Sequence, residues 1–114
     1  MFENDIKKID LLLIEIHDIY DNEKNCKDLL DFISKWFTCF HVHANVAVGL
    51  YKFTNDYIPH IYMPKMYEIT YINNNIIKNK FPYDGPLPIP GIDYSNTPYI
   101  NDIDLSFLCT GCNI

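Results

Sequence analysis

At 114 residues the chain is sized for one domain, and its 48% hydrophobic and 15% aromatic content supplies ample core material. A charged fraction of only 21% excludes the composition of a disordered polyelectrolyte. The net charge of −6, with nine scattered lysines and no arginine, excludes the basic, phosphate-neutralising face that nucleic acids require.

The opening "MFENDIKKID" is polar, unlike a signal peptide, and "ENDIKKID" reads as a short helical or connecting piece. The next apolar run, "IDLLLIEIHDI", is too short and too charged to cross a bilayer, so the expected location is cytoplasmic. In that setting Cys26, Cys39, Cys109 and Cys112 read as thiols rather than a disulfide framework. Residues 10–17, "DLLLIEIH", have the continuous apolar character of a strand buried on both faces. After the polar turn "DIYDNEKN", the segment "CKDLLDFISKWF" predicts a helix with Leu29, Leu30, Phe32, Ile33 and Trp36 on one side. Asp28 near its start and Lys35 near its end would suit the helix dipole.

"FTCFHVHANVAVGLY" reads as a second strand, and strand–helix–strand with short links predicts a parallel unit. "TNDYIPHIYMP" reads as a loop, and "KMYEITYI", residues 65–72, as a third strand rich in β-branched and aromatic residues. "KFPYDGPLPIPGIDYSNTPYIND" holds five of the seven prolines and predicts an irregular, ordered C-terminal arm, after which "IDLSFL" would form a short edge strand. The tyrosines and Phe53 between residues 51 and 71 read as strand packing rather than a base-stacking platform, since no basic groove accompanies them. The terminal "CTGC" lacks the second cysteine pair of a structural zinc site and the helix start of a redox motif.

Polar groups gather at the strand ends. Glu15 and His17 lie two apart on the first strand, and His41, His43 and Asn45 repeat that spacing on the second. On extended backbone such positions share a face. One reading is a metal site from Glu15, His17, His41 and His43. Another is general acid–base or substrate-positioning chemistry, because imidazole titrates near neutrality. The third is plain hydrogen bonding to neighbouring groups.

The order of these segments resembles the C-terminal half of the FkbM-like methyltransferases, enzymes dependent on S-adenosylmethionine. The matching motifs are an apolar strand ending in Glu15 and His17, then His41, His43 and Asn45, then a strand carrying Glu68 and Thr70. The closing "PIPGIDYSNTPYINDIDLSF" is similar to the family's last segment, with Asp93, Asn96 and Asp102 in corresponding places. The likeness covers roughly residues 6–108. The family's second Asn is Val46 here, and the chain contains no Gly-X-Gly turn of the kind that cradles the cofactor in such folds.

The resemblance implies an α/β fold: a partial Rossmann-like, class I methyltransferase-type mixed sheet of about three main strands, with one or two helices and the Pro-rich arm. It places the third strand antiparallel between the other two, with Glu15/His17 and His41/His43 about 10 Å apart across two strand spacings. His17, His41 and His43 are then the candidate catalytic residues, and Glu15, Asn45 and Glu68 the candidate substrate-binding ones. S-adenosylmethionine is the family's cofactor, with none expected to bind this chain alone. The first strand would offer an edge, near residues 10–17, to a second copy or a partner chain. The alternatives are a non-catalytic interaction module or partner subunit of a split methyltransferase, and a small metal-binding protein using the His-X-His row.

Overall fold

A computed structural model describes residues 2–53, 61–81, 83–99 and 101–105. The element order is α1 (Phe2–Ile6), β1 (Leu11–His17), α2 (Glu23–Ile33), β2 (Phe37–Ala44), a 3₁₀ turn (Val46–Val48), β3 (Leu50–Phe53), β4 (Ile61–Pro64) and β5 (Met66–Asn73). Three strands form the main sheet in the order β1-β5-β2, and β3 pairs with β4 in a separate two-stranded sheet. The fold is therefore α/β in content. All strand pairings among the described residues are antiparallel, so neither the expected mixed pairing nor a parallel β1–β2 pair is formed. β1 and β2 run the same way only because each lies antiparallel to the β5 between them.

β1 is not buried on both faces. It stands at the sheet edge and its burial alternates: Ile16 is buried, whereas Leu11 and Leu13 are 53% and 68% exposed. Its even-numbered residues join Tyr67, Ile69 and Tyr71 of β5 and Cys26 and Ile33 of α2 in one hydrophobic cluster. The period-2 geometry of a strand leaves the odd-numbered residues on the opposite face.

α2 begins three residues earlier than the apolar pattern predicts and ends sooner. Ion pairs one turn apart, Lys24–Asp28 and Lys27–Asp31, support its polar first half. Its core-facing positions are Cys26, Leu30 and Ile33, while Leu29 is exposed. Asp28 thus lies mid-helix and Lys35 past the end, so neither occupies the expected dipole position. Trp36 packs edge-on against Phe32 in the closing turn, and Phe37 is already the buried start of β2.

The second strand also stops sooner than expected. At Asn45 the side chain accepts from the Ala47 amide at 3.1 Å, turning the chain into the 3₁₀ segment that buries Val46 completely. Gly49 follows with φ of 119°, a conformation L-residues rarely adopt, and its carbonyl accepts from the Lys65 amide at 3.1 Å. That joint seats the β3–β4 hairpin. Residues 61–64, expected in a loop, are its second strand, and 54–60 lie outside the described residues.

From Asn74 to Leu105 the described residues contain no helix or strand, as expected of the arm. The arm is nevertheless anchored: Leu87 and Leu105 are buried in the core cluster, and the Leu105 amide donates to the Leu87 carbonyl at 2.7 Å. The expected edge strand at "IDLSFL" is absent over 103–105, and its remainder, like Cys109 and Cys112, lies outside the described residues. Cys26 is buried and Cys39 exposed. Among the described residues no helix is long and apolar enough to cross a membrane.

Candidate functional site

The sheet face turned away from α2 carries the polar groups, and the register fixes their spacing. Glu15, Glu68 and His43 occupy one row across β1, β5 and β2; Leu13, Thr70 and His41 occupy the next. Two strand spacings thus separate Glu15 from His43. The pairing shifts between Cys39 and His41, leaving Phe40 as an extra residue and 70% exposed. Such a bulge reverses which face the following residues address. It aims His41 and His43 at Thr70 and Glu68, whereas Cys39 lies opposite Tyr71.

His43 is the centre of the cluster. Its side chain is 9% exposed, with Nδ1 at 3.2 Å from Glu68 Oε2 and Nε2 at 2.9 Å from Asp102 Oδ2. Neutral imidazole has one N–H, and ionised carboxylates only accept, so this arrangement is satisfied by an imidazolium donating from both nitrogens. Burial opposes that charge, but the hydrogen bonds to Asp102 and Glu68 outweigh it and raise the His43 pKa above its ordinary 6.5. Glu68 is in turn held by two amides: Asn45 Nδ2 and Asn96 Nδ2 each donate to its Oε1 at 3.2 Å.

His41 forms a second pair, with Nε2 at 2.9 Å from Asp93 Oδ2. The same carboxylate oxygen accepts from the Ile89 amide at 2.7 Å, closing a short turn in the arm. Burial would raise the Asp93 pKa, but the Ile89 amide and His41 outweigh it and hold it below the ordinary 3.8. Among the described residues none bonds to His41 Nδ1, so this imidazole is oriented by a carboxylate through one nitrogen and leaves the other available.

Between β1 and these pairs lies a cleft of about 460 Å³. Glu15, His41, His43, Glu68, Thr70 and Asp93 supply its polar wall, and Leu13, Ile14 and Ile69 its apolar one. The wall combines proton-accepting groups with an apolar floor and carries no lysine, so it suits a neutral or cationic ligand with donor groups.

Of the sequence-derived candidates, His41, His43, Asn45 and Glu68 are brought together. Glu15 reaches the cleft from the far strand. His17 does not line it; its Nε2 sits 3.4 Å from Glu15 Oε2 in a pair more than half exposed. Asp93, Asn96 and Asp102 entered only through the resemblance, because nothing in the spacing of a proline-rich arm marks them. No group of three or more His, Cys, Asp or Glu among the described residues has the geometry to hold a metal ion. With both His43 nitrogens on carboxylates, the arrangement favours hydrogen bonding over metal ligation. Comparison with protein-family models, with curated proteins and with solved structures finds no match to this chain.

Proposed function

We propose that this chain is the acceptor-side half of an FkbM-like methyltransferase, with the cleft as the wall against which the methyl acceptor is held. The observation that carries the reading is the closure of the cluster. Glu68, Asp93, Asn96 and Asp102, four positions named by the resemblance, each hydrogen-bond His41, His43 or Glu68 across 25 to 59 residues of sequence. The order β1-β5-β2, with β5 reversed, agrees with what the resemblance implies and so supports it. In this reading His41, oriented by Asp93, is the group placed to take a proton from the acceptor. His43, engaged at both nitrogens, organises the wall, and Glu15 and Asn45 shape it. His17 stands at its outer rim.

S-adenosylmethionine does not fit the described residues. Its cradle in such folds is a glycine turn that lets backbone approach the ligand. A Cβ at Gly49 would meet the Lys65 side chain, one at Gly85 would meet the Tyr83 ring, and one at Gly91 would meet nothing within 4 Å. None of these glycines lines the cleft. The reading therefore assigns the cofactor to a separate glycine-loop half, which would join the sheet along the open edge of β1. That edge equally favours the alternative of a non-catalytic partner subunit.

Calorimetry tests this division. The chain alone should give no binding heat with S-adenosylmethionine. Combined with a glycine-loop half of the same family supplied as a second chain, it should complete a cofactor-binding complex. Binding of S-adenosylmethionine by the chain alone would overturn the assignment.

A further inference from the structure

Among the described residues, two carboxylates of the arm are held to the sheet through histidines alone. Asp93 Oδ2 is on His41 Nε2 and Asp102 Oδ2 on His43 Nε2, each at 2.9 Å, with both carboxylate side chains largely buried. Asp102 Oδ1 is buried and has no hydrogen-bond partner among the described residues, so that side chain's polar hold on the sheet runs through His43.

We propose that residues 101–105, the end of the arm, form a pH-sensitive strap, latched to the sheet by protonated histidine and loosened when His43 loses its proton. The groups facing His43 are Glu68 from β5 and Asp102 and Asp93 from the arm, with His41 and Asn45 beside it on and after its own strand. From β1, Glu15 faces it across the cleft. Apart from His41, each titratable member of that set is acidic, so nothing nearby replaces the lost cation. Once neutral, His43 turns a lone pair toward one of its two carboxylates. Glu68 still has the amides of Asn45 and Asn96 and is a third exposed. Asp102 has no second hydrogen-bond partner among the described residues and its side chain is only 12% exposed, so it is the group that must leave. Its departure pulls on the Leu105 amide three residues on and frees the end of the arm, while Asn96 on Glu68 and Asp93 on His41 keep the middle of the arm on the sheet.

The sign follows from the two titrations. His43, raised, contributes latching that is complete below 6.5 and is lost as pH climbs through its folded-state value. Asp93, lowered, contributes latching present above 3.8 and lost as pH falls through its own lower value. The strap is tightest between these limits.

Amide hydrogen exchange on the full chain across pH, with His43 followed by NMR, is the test. Once pH passes the His43 midpoint, the protection factor at Leu105 should fall about ten-fold per pH unit, the slope of a one-proton opening. Ile69 and Tyr71 in β5 should stay level. His43→Gln should flatten the profile. Because that variant also removes a buried imidazole, Asp102→Asn serves beside it: its amide can donate to neutral His43, and its Leu105 protection should no longer vary with pH. Level protection in the wild type while His43 titrates would overturn the strap, as would wild-type pH dependence retained in Asp102→Asn.

Discussion

Replacing Glu68 by Gln probes the whole cluster through one change of donor for acceptor. In the wild type, Oε1 accepts from Asn45 and Asn96 and Oε2 accepts from His43 Nδ1. A glutamine whose oxygen keeps the two asparagines turns its NH₂ toward His43 Nδ1. That nitrogen must then be an acceptor, so the imidazole becomes neutral with its proton on Nε2, facing Asp102. A hydrogen bond to a charged group contributes about 1.5–3 kcal/mol. At 3.2 Å, with Glu68 34% exposed, screening takes the contribution to or just below the bottom of that range, so the expected loss is about 1–1.5 kcal/mol. The loss should be full below pH 6.5, where the raised His43 is protonated, and should shrink as pH rises through its folded-state value. Urea unfolding of both proteins at pH 6 and pH 9, with the His43 midpoint followed by NMR, measures it. An equal loss at both pH values, with an unmoved His43 midpoint, would refute the imidazolium assignment.

Two further outcomes rest on separate parts of the fold. Asn73, 3% exposed, donates from Nδ2 to the Lys7 and Ile9 carbonyls at 2.9 and 2.8 Å and accepts from the Asn75 amide at 2.9 Å. At about 1 kcal/mol per bond, lessened by water reaching the exposed residues 7 and 9, Asn73→Ala should cost about 2 kcal/mol in urea unfolding. Asn73→Asp should cost more at pH 7, with oxygen facing both carbonyls, and a smaller cost than Ala there would contradict the assignment. At the open edge of β1, Leu13 is 68% exposed, so Leu13→Lys should change stability by less than about 0.5 kcal/mol while discouraging strand addition. Sedimentation of the wild-type chain at high concentration should show self-association that the lysine variant lacks; a clean wild-type monomer, with amides 11–16 protected from exchange, would sink the edge reading.

β1, β5 and the core half of α2 were legible because periodic apolar residues report burial directly. The errors have separate physical origins. "DLLLIEIH" reads as doubly buried since composition records hydrophobicity, not which neighbours exist. Leu11 and Leu13 are apolar yet open because they lie on the face of β1 turned away from the core cluster that takes Leu12, Ile14 and Ile16. The start of α2 is hidden for the converse reason: two lysine–aspartate pairs support a helical turn that presents almost no apolar face. β4 is obscured by Pro64, which reads as a breaker but here ends a strand in a two-stranded sheet, where a proline is tolerated at the margin.

The site was half legible, and the missing half is instructive. Alternation puts His41, His43 and Asn45 on one face of any strand, but alternation alone says nothing about which face. That choice is made by Phe40, the bulged residue, whose insertion sets the histidines opposite Thr70 and Glu68 rather than among the core residues of β5. A hydrophobic residue at that position looks like one more buried strand residue, yet it is exposed so that its neighbours can be placed. The partners on the arm are less visible still, because Asp93 and Asp102 belong to no periodic element and are positioned by the buried Leu87 and Leu105. Those two leucines join the core and carry the acids over the histidines, so apolar anchoring of an irregular segment is what converts a row of polar side chains into a closed cluster.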